Sequence, residues 1–103
     1  MNKTIDNSSY NNPDSRDYVH ADIQDSLFAY ARNGRPTGGF LRACLENDFL
    51  GSVTRASDDN VRCLVGIAIL IHNRLPSGCH GSKEKVDRWI NEGGAIGMKG
   101  KVL

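Results

Sequence analysis

Apolar residues recur at helical spacing in four stretches of this chain, separated by residue types that start and stop helices. Ile23, Leu27, Tyr30 and Ala31 share one face of a helix that Asp22 can cap and Gly34 can end. Thr37 can cap a second helix, with Leu41, Cys44, Leu45, Phe49 and Val53 on one stripe. Gly38, Gly39 and Gly51 weaken that helix by about 1 kcal/mol each relative to alanine. Ser57-Asp58-Asp59-Asn60 is a strong helix start, because the carboxylates also complement the helix dipole. It opens a third helix, Asp58 to Arg74, whose run CLVGIAILI is apolar nearly all round. Such a helix belongs at the centre of a fold or in an oligomer interface. The β-branched Val61, Val65, Ile67, Ile69 and Ile71 also suit a strand, but the cap and the length of the segment decide for helix. Pro76 ends it. Ser82 then caps a fourth helix with Val86, Trp89 and Ile90 inward, stopped by Gly93 and Gly94.

The two ends lack this periodicity. Residues 1–20 are rich in Asn, Asp and Ser and read as a flexible polar arm, and residues 93–103 as an irregular Gly/Lys tail. The expected architecture is all-α: one domain over 21–92, a small bundle of about four helices with a buried third helix. With 103 residues there is no room for separate cofactor and substrate lobes. No run of 18 apolar residues is present to span a membrane, and the first fifteen residues contain no apolar signal region. Cys44, Cys63 and Cys79 are spaced too widely and unevenly for a disulfide framework, which points to a reducing cytoplasm.

Charge is unevenly spread. Residues 1–25 carry a net −3, while 26–82 and 83–103 each carry +2, giving +1 for the chain. Attraction to nucleic acid is therefore weak. All cations of the middle segment are arginine (Arg32, Arg35, Arg42, Arg55, Arg62, Arg74), whose fork suits carboxylate and phosphate. Arg35-Pro36-Thr37-Gly38-Gly39 at the second helix start fits either a tight turn or an anion cradle of exposed amides. Asn47 and Asp48 interrupt an apolar stripe near Arg55. They form either a structural tie or, with Asn60, polar groups that read a base or ribose. In Ser77-Gly78-Cys79-His80-Gly81-Ser82, the last residue offers a second helix N-terminus and His80 a ring for stacking or solvent. Adjacent Cys79 and His80 do not have zinc-ligand spacing, and adjacency does not aim a base at a thiol. Trp89 is expected in the core, with a second possible role as a stacking face. No metal, cofactor, serine-nucleophile or paired-carboxylate pattern emerges, so the chain reads as a non-enzyme.

The segments RPTGGFLRACLENDF, RASDDN and LPSGCHGSKEKVDRWI resemble a group of small, largely uncharacterised phage and prophage accessory proteins. Their pattern is P-x-G-x-F-L-x-A-x-L-x-N-D-L, then R-A-D-x-x-N, then P-x-x-C-W-G-S-x-E-K-V-x-x-W. The likeness covers about residues 30–91. This chain departs at Ser57, which moves the acid to Asp58, and at His80, where the pattern has tryptophan. The resemblance implies a cytoplasmic protein of the infected host that acts against bacterial defence.

Two readings follow. In the first, the protein sequesters a phosphorylated nucleotide immune signal, of cyclic oligonucleotide or ADP-ribose type, without turnover. Phosphates would meet Arg35, Arg55 and the helix starts at Thr37, Gly38, Gly39 and Ser82. Asn47 and Asn60 would read base or ribose, His80 or Trp89 would stack, and ligands would sit between subunits of a homo-oligomer or under a loop. In the second, the acidic arm docks onto a host defence enzyme. A DNA-binding regulator ranks third, for want of a basic recognition helix.

Overall fold

Eight α-helices and one 3-10 turn build residues 8–101, the part of the chain that the computed structural model describes. They are α1 (Ser8–Asn11), α2 (Ala21–Asn33), α3 (Gly39–Leu45), α4 (Phe49–Arg55), α5 (Asp58–Arg62), α6 (Leu64–Arg74), the 3-10 turn Ser77–Cys79, α7 (Lys83–Asn91) and α8 (Gly94–Lys101). No strand occurs among the described residues. The fold is all-α, but its helices are shorter and more numerous than the spacing predicts.

The starts and stops explain the difference. Gly34 ends α2 in the left-handed conformation (φ 71°) and returns its N–H to the Tyr30 carbonyl, as expected. Ser57 and Ser82 cap α5 and α7 by accepting from the amides of Asn60 and Lys85. Thr37 does not cap α3. That place belongs to Gly38, and the Thr37 hydroxyl donates to the Gly38 carbonyl at 3.2 Å. The expected second helix breaks at Asn47, which takes a positive φ of 65°. Asp48 then caps a new helix through Gly51 N–H at 2.9 Å. The third expected helix divides at Cys63 into α5 and α6.

The core gathers Leu27 and Tyr30 of α2, Leu45 of α3, Ile67 and Leu70 of α6 and Val86 of α7, all essentially without solvent contact. Tyr30 crosses it: its hydroxyl donates to the Cys79 carbonyl at 2.5 Å. Only one side of α6 takes part. Gly66, Ile67, Leu70 and Ile71 are buried, whereas Val65 is 48% exposed. The third helix is thus not buried all round.

Both expected loose ends are packed where they are described. Tyr10 and Val19 belong to the core, joined by Val19 N–H to the Tyr10 carbonyl at 2.8 Å. Gln24 donates to the Asn11 side chain and the Val19 carbonyl, both at 2.9 Å, and Arg62 donates to the Pro13 carbonyl. The arm's polar composition hid these anchors. The glycine-rich tail forms α8 from Gly94, packed chiefly on α2 with Met98 against the core. The first seven residues of the expected arm and the last two of the tail lie outside the described residues.

Candidate functional site

A cleft of about 540 Å³ opens between the α3–α4 corner, one side of α6 and the loop before α7. Its size suits a small organic ligand. Two chain breaks create it. Asn47 turns the chain in the left-handed conformation, so α4 departs from α3 and leaves a gap above Leu45. Across the gap, Gly81 at φ 119° donates its N–H to the Leu45 carbonyl at 2.8 Å and holds His80 at the opposite wall. The floor is apolar, from Leu64, Ile67 and Ile71, and Phe49 stands at the rim with 72% of its surface exposed.

The lining also carries polar groups. Asn47, Asp48, His72 and His80 all line the cleft. Burial lowers the His80 pKa, helped by the positive fields of Lys85 and His72, so its imidazole is neutral at pH 7. A neutral ring both stacks and offers one donor and one acceptor. Lys85 lies beside the Gly81 wall: its ammonium comes within 3.5 Å of the Ser77 carbonyl and would stand 3.7 Å from a Cβ on Gly81. The Ser82-capped start of α7 is adjacent. The cleft lining therefore combines aromatic rings, an amide and the Asp48 carboxylate, with the Lys85 cation beside its Gly81 wall. The Cys44 thiol also lines the cleft, pushed by burial up to about 11, so it is protonated at neutral pH.

The residues singled out from the sequence divide into groups. Asn47 and His80 meet in the cleft, with Ser82 one residue beyond its Gly81 wall. Gly39 and Arg55 meet elsewhere, in a hollow of about 220 Å³ that also holds Arg42, Glu46 and Asp48. There a Cβ on Gly39 would stand 3.4 Å from Arg55 Cδ. Charges of both signs offset one another in this hollow. Arg42 is engaged by Glu46 at 2.6 Å and by Asp87, and Arg55 Nη1 donates to the Gly51 carbonyl at 3.2 Å. Asp48 and Arg55 each bond a backbone group of Gly51 and not each other, so the expected Asp–Arg tie is not formed. Arg35 and Gly38 are exposed and Thr37 half-buried in the α2–α3 connection, and none of them lines the cleft. Asn60 lies on α5, away from the cleft lining. Trp89 is core, 6% exposed, with its indole N–H donating to the Tyr30 and Ala31 carbonyls at 3.1 Å. Its ring is closed to a ligand at this cleft.

His72, Phe49 and Lys85 were not among the sequence candidates. A signal existed for the first: Val65, Ala68 and His72 fall at i, i+3 and i+7, one side of α6. Phe49 continued the apolar stripe of Leu41 and Leu45 and so looked like core. Lys85 carried no signal, since only the return of the Ser77–Ser82 loop brings it near.

Among the described residues no group of three or more His, Cys, Asp or Glu is placed to hold a metal ion, and no helix is long and apolar enough to cross a membrane. Comparison with protein families, curated proteins and solved structures finds no match to this chain.

Proposed function

We propose that this protein binds and sequesters a phosphorylated nucleotide without turning it over. The observation that carries the reading is the meeting of Asn47 and His80, distant in sequence, in one apolar-floored cleft beside Lys85. A purine-sized base fits between the floor and the Phe49 rim, stacks on the neutral His80 and is hydrogen-bonded by Asn47. The phosphate faces Lys85 and the start of α7, replacing the arginines expected from sequence. The ligand class, an immune signal of cyclic oligonucleotide or ADP-ribose type, is drawn by analogy with what small phage proteins often bind. The binding end holds no nucleophile activated by a base. Cys44 is a half-buried thiol that its surroundings keep protonated, which favours binding over chemistry.

A thermal-shift panel of cyclic di- and trinucleotides, ADP-ribose, NAD and ATP tests this. A ligand at 100 times its dissociation constant stabilises the native state by roughly 2.7 kcal/mol, a rise of roughly 10–20 °C for a domain of this size. The ligand recovered after denaturation is expected unchanged. A flat panel contradicts the proposal.

A second reading, an inhibitor that docks on a host enzyme, draws on Phe49 and Leu50, each 72% exposed. Its original support, a free acidic arm, is reduced by the packing of Tyr10 and Val19. A flat panel followed by capture of a host enzyme through the Phe49–Leu50 surface would establish it.

A further inference from the structure

We infer that the cleft takes up a proton at His80 together with an anionic ligand, so that it holds such a ligand more tightly in mild acid than at neutral pH. This rests on the nucleotide reading above and adds regulation of the same site by pH. His80 is held in place through its neighbours on both sides. The Cys79 carbonyl accepts from Tyr30 in the core at 2.5 Å, and the Gly81 amide donates to the Leu45 carbonyl at 2.8 Å. The half-buried imidazole between them lines the cleft, with His72 of α6 in the same lining.

The charges around this ring set the direction of the linkage. The fields acting on His80 are those of Lys85 on α7 and His72 on α6, both positive, and together with burial they keep the ring neutral at pH 7. The Cys44 thiol of α3 is protonated there and adds no charge. The Asp48 carboxylate at the start of α4 also lines the cleft, yet the fields that shift His80 are positive. A phosphate in the cleft offsets them and offers an acceptor to the second imidazole N–H. The ligand-bound form therefore holds the His80 proton more tightly than the free form. By reciprocity, affinity rises as pH falls through the range in which His80 protonates, about tenfold for each unit by which the ligand raises its pKa. Stacking on a base is kept, since a cation is attracted to a π face.

Isothermal calorimetry with ADP-ribose and cyclic diadenylate tests this, because their phosphates are esterified on both sides and keep one charge between pH 5.5 and pH 8. Wild type is expected to bind at least about threefold more tightly at pH 5.5, and to take up part of a proton per ligand when heats in buffers of different ionisation enthalpy are compared. His80→Gln is expected to bind equally at both pH values. His72→Gln leaves the His80 ring in place but removes one of the two positive fields, and is expected to displace the pH dependence upward. Equal wild-type affinity at both pH values, or tighter binding at pH 8, overturns the inference and leaves the nucleotide reading standing. So does a pH dependence that is unchanged in either variant. Binding of neither nucleotide at either pH contradicts both.

Discussion

Gly34 and Gly94 cross backbone to backbone: a Cβ on Gly34 would stand 2.7 Å from the amide nitrogen of Gly94. Both residues have positive φ, 71° and 73°. The end of α2 and the start of α8 can lie this close only because neither carries a side chain.

Gly94→Ala therefore meets both strain and a clash, and is expected to destabilise the fold by about 2–4 kcal/mol. Thermal unfolding checks this, with a fall of many degrees expected. Protease sensitivity should appear first in residues 94–101.

Gly66 performs the same service for the opposite end of the chain. A Cβ there would come 2.5 Å from the Tyr18 carbonyl oxygen. Gly66→Ala gains helix propensity but displaces residues 17–18, for a net loss of about 1–3 kcal/mol. Hydrogen exchange is expected to rise at the Val19 amide, which bonds Tyr10 in the wild type.

Arg42 joins α3 to α7 through Asp87 while also holding Glu46. Hydrogen bonds from Lys83 and then Arg42 hold the Asp87 carboxyl below its ordinary value of 3.8. A lowered carboxyl contributes stability above that value and loses it as pH falls through the folded one. His80, lowered from 6.5 by burial, works in the same direction over a higher range, because the unfolded state binds its proton first. Stability is thus expected to decline on acidification in two ranges. Asp87→Asn removes the lower one and His80→Gln the upper one in denaturation followed against pH. Arg42→Ala is expected to lower stability only modestly at pH 7, because solvent screens the exposed Asp87 partner.

Burial raises the thiols of Cys44 and Cys79 to about 11. Native protein at pH 8 is expected to react slowly with Ellman's reagent at both, and denatured protein quickly. Fast native labelling of Cys79 would contradict its place in the core.

Single residues show how far the sequence was legible. Gly34, Ser57 and Ser82 act as read, because a left-handed C-cap and hydroxyl N-caps are local devices. The break at Asn47 was hidden because Leu45 and Phe49 keep helical spacing across it, although Phe49 ends in solvent. Tyr10 and Val19 are two apolar residues in a polar stretch, and only tertiary packing against the hydrophobic cluster makes them core. At the site, Asn47 and His80 were found by residue type. Lys85 was missed, because no spacing announces that a loop returns over a helix start.

In the proposed function, the Asn47–His80 cleft retains a phosphorylated nucleotide intact. Equilibrium dialysis with radiolabelled cyclic diadenylate and ADP-ribose tests it most directly, comparing wild type with His80→Ala and Lys85→Ala. Wild type is expected to retain at least one of the two, chemically unchanged on elution, and each substitution to weaken retention about tenfold or more. No retention of either nucleotide, or equal retention by all three proteins, would contradict it.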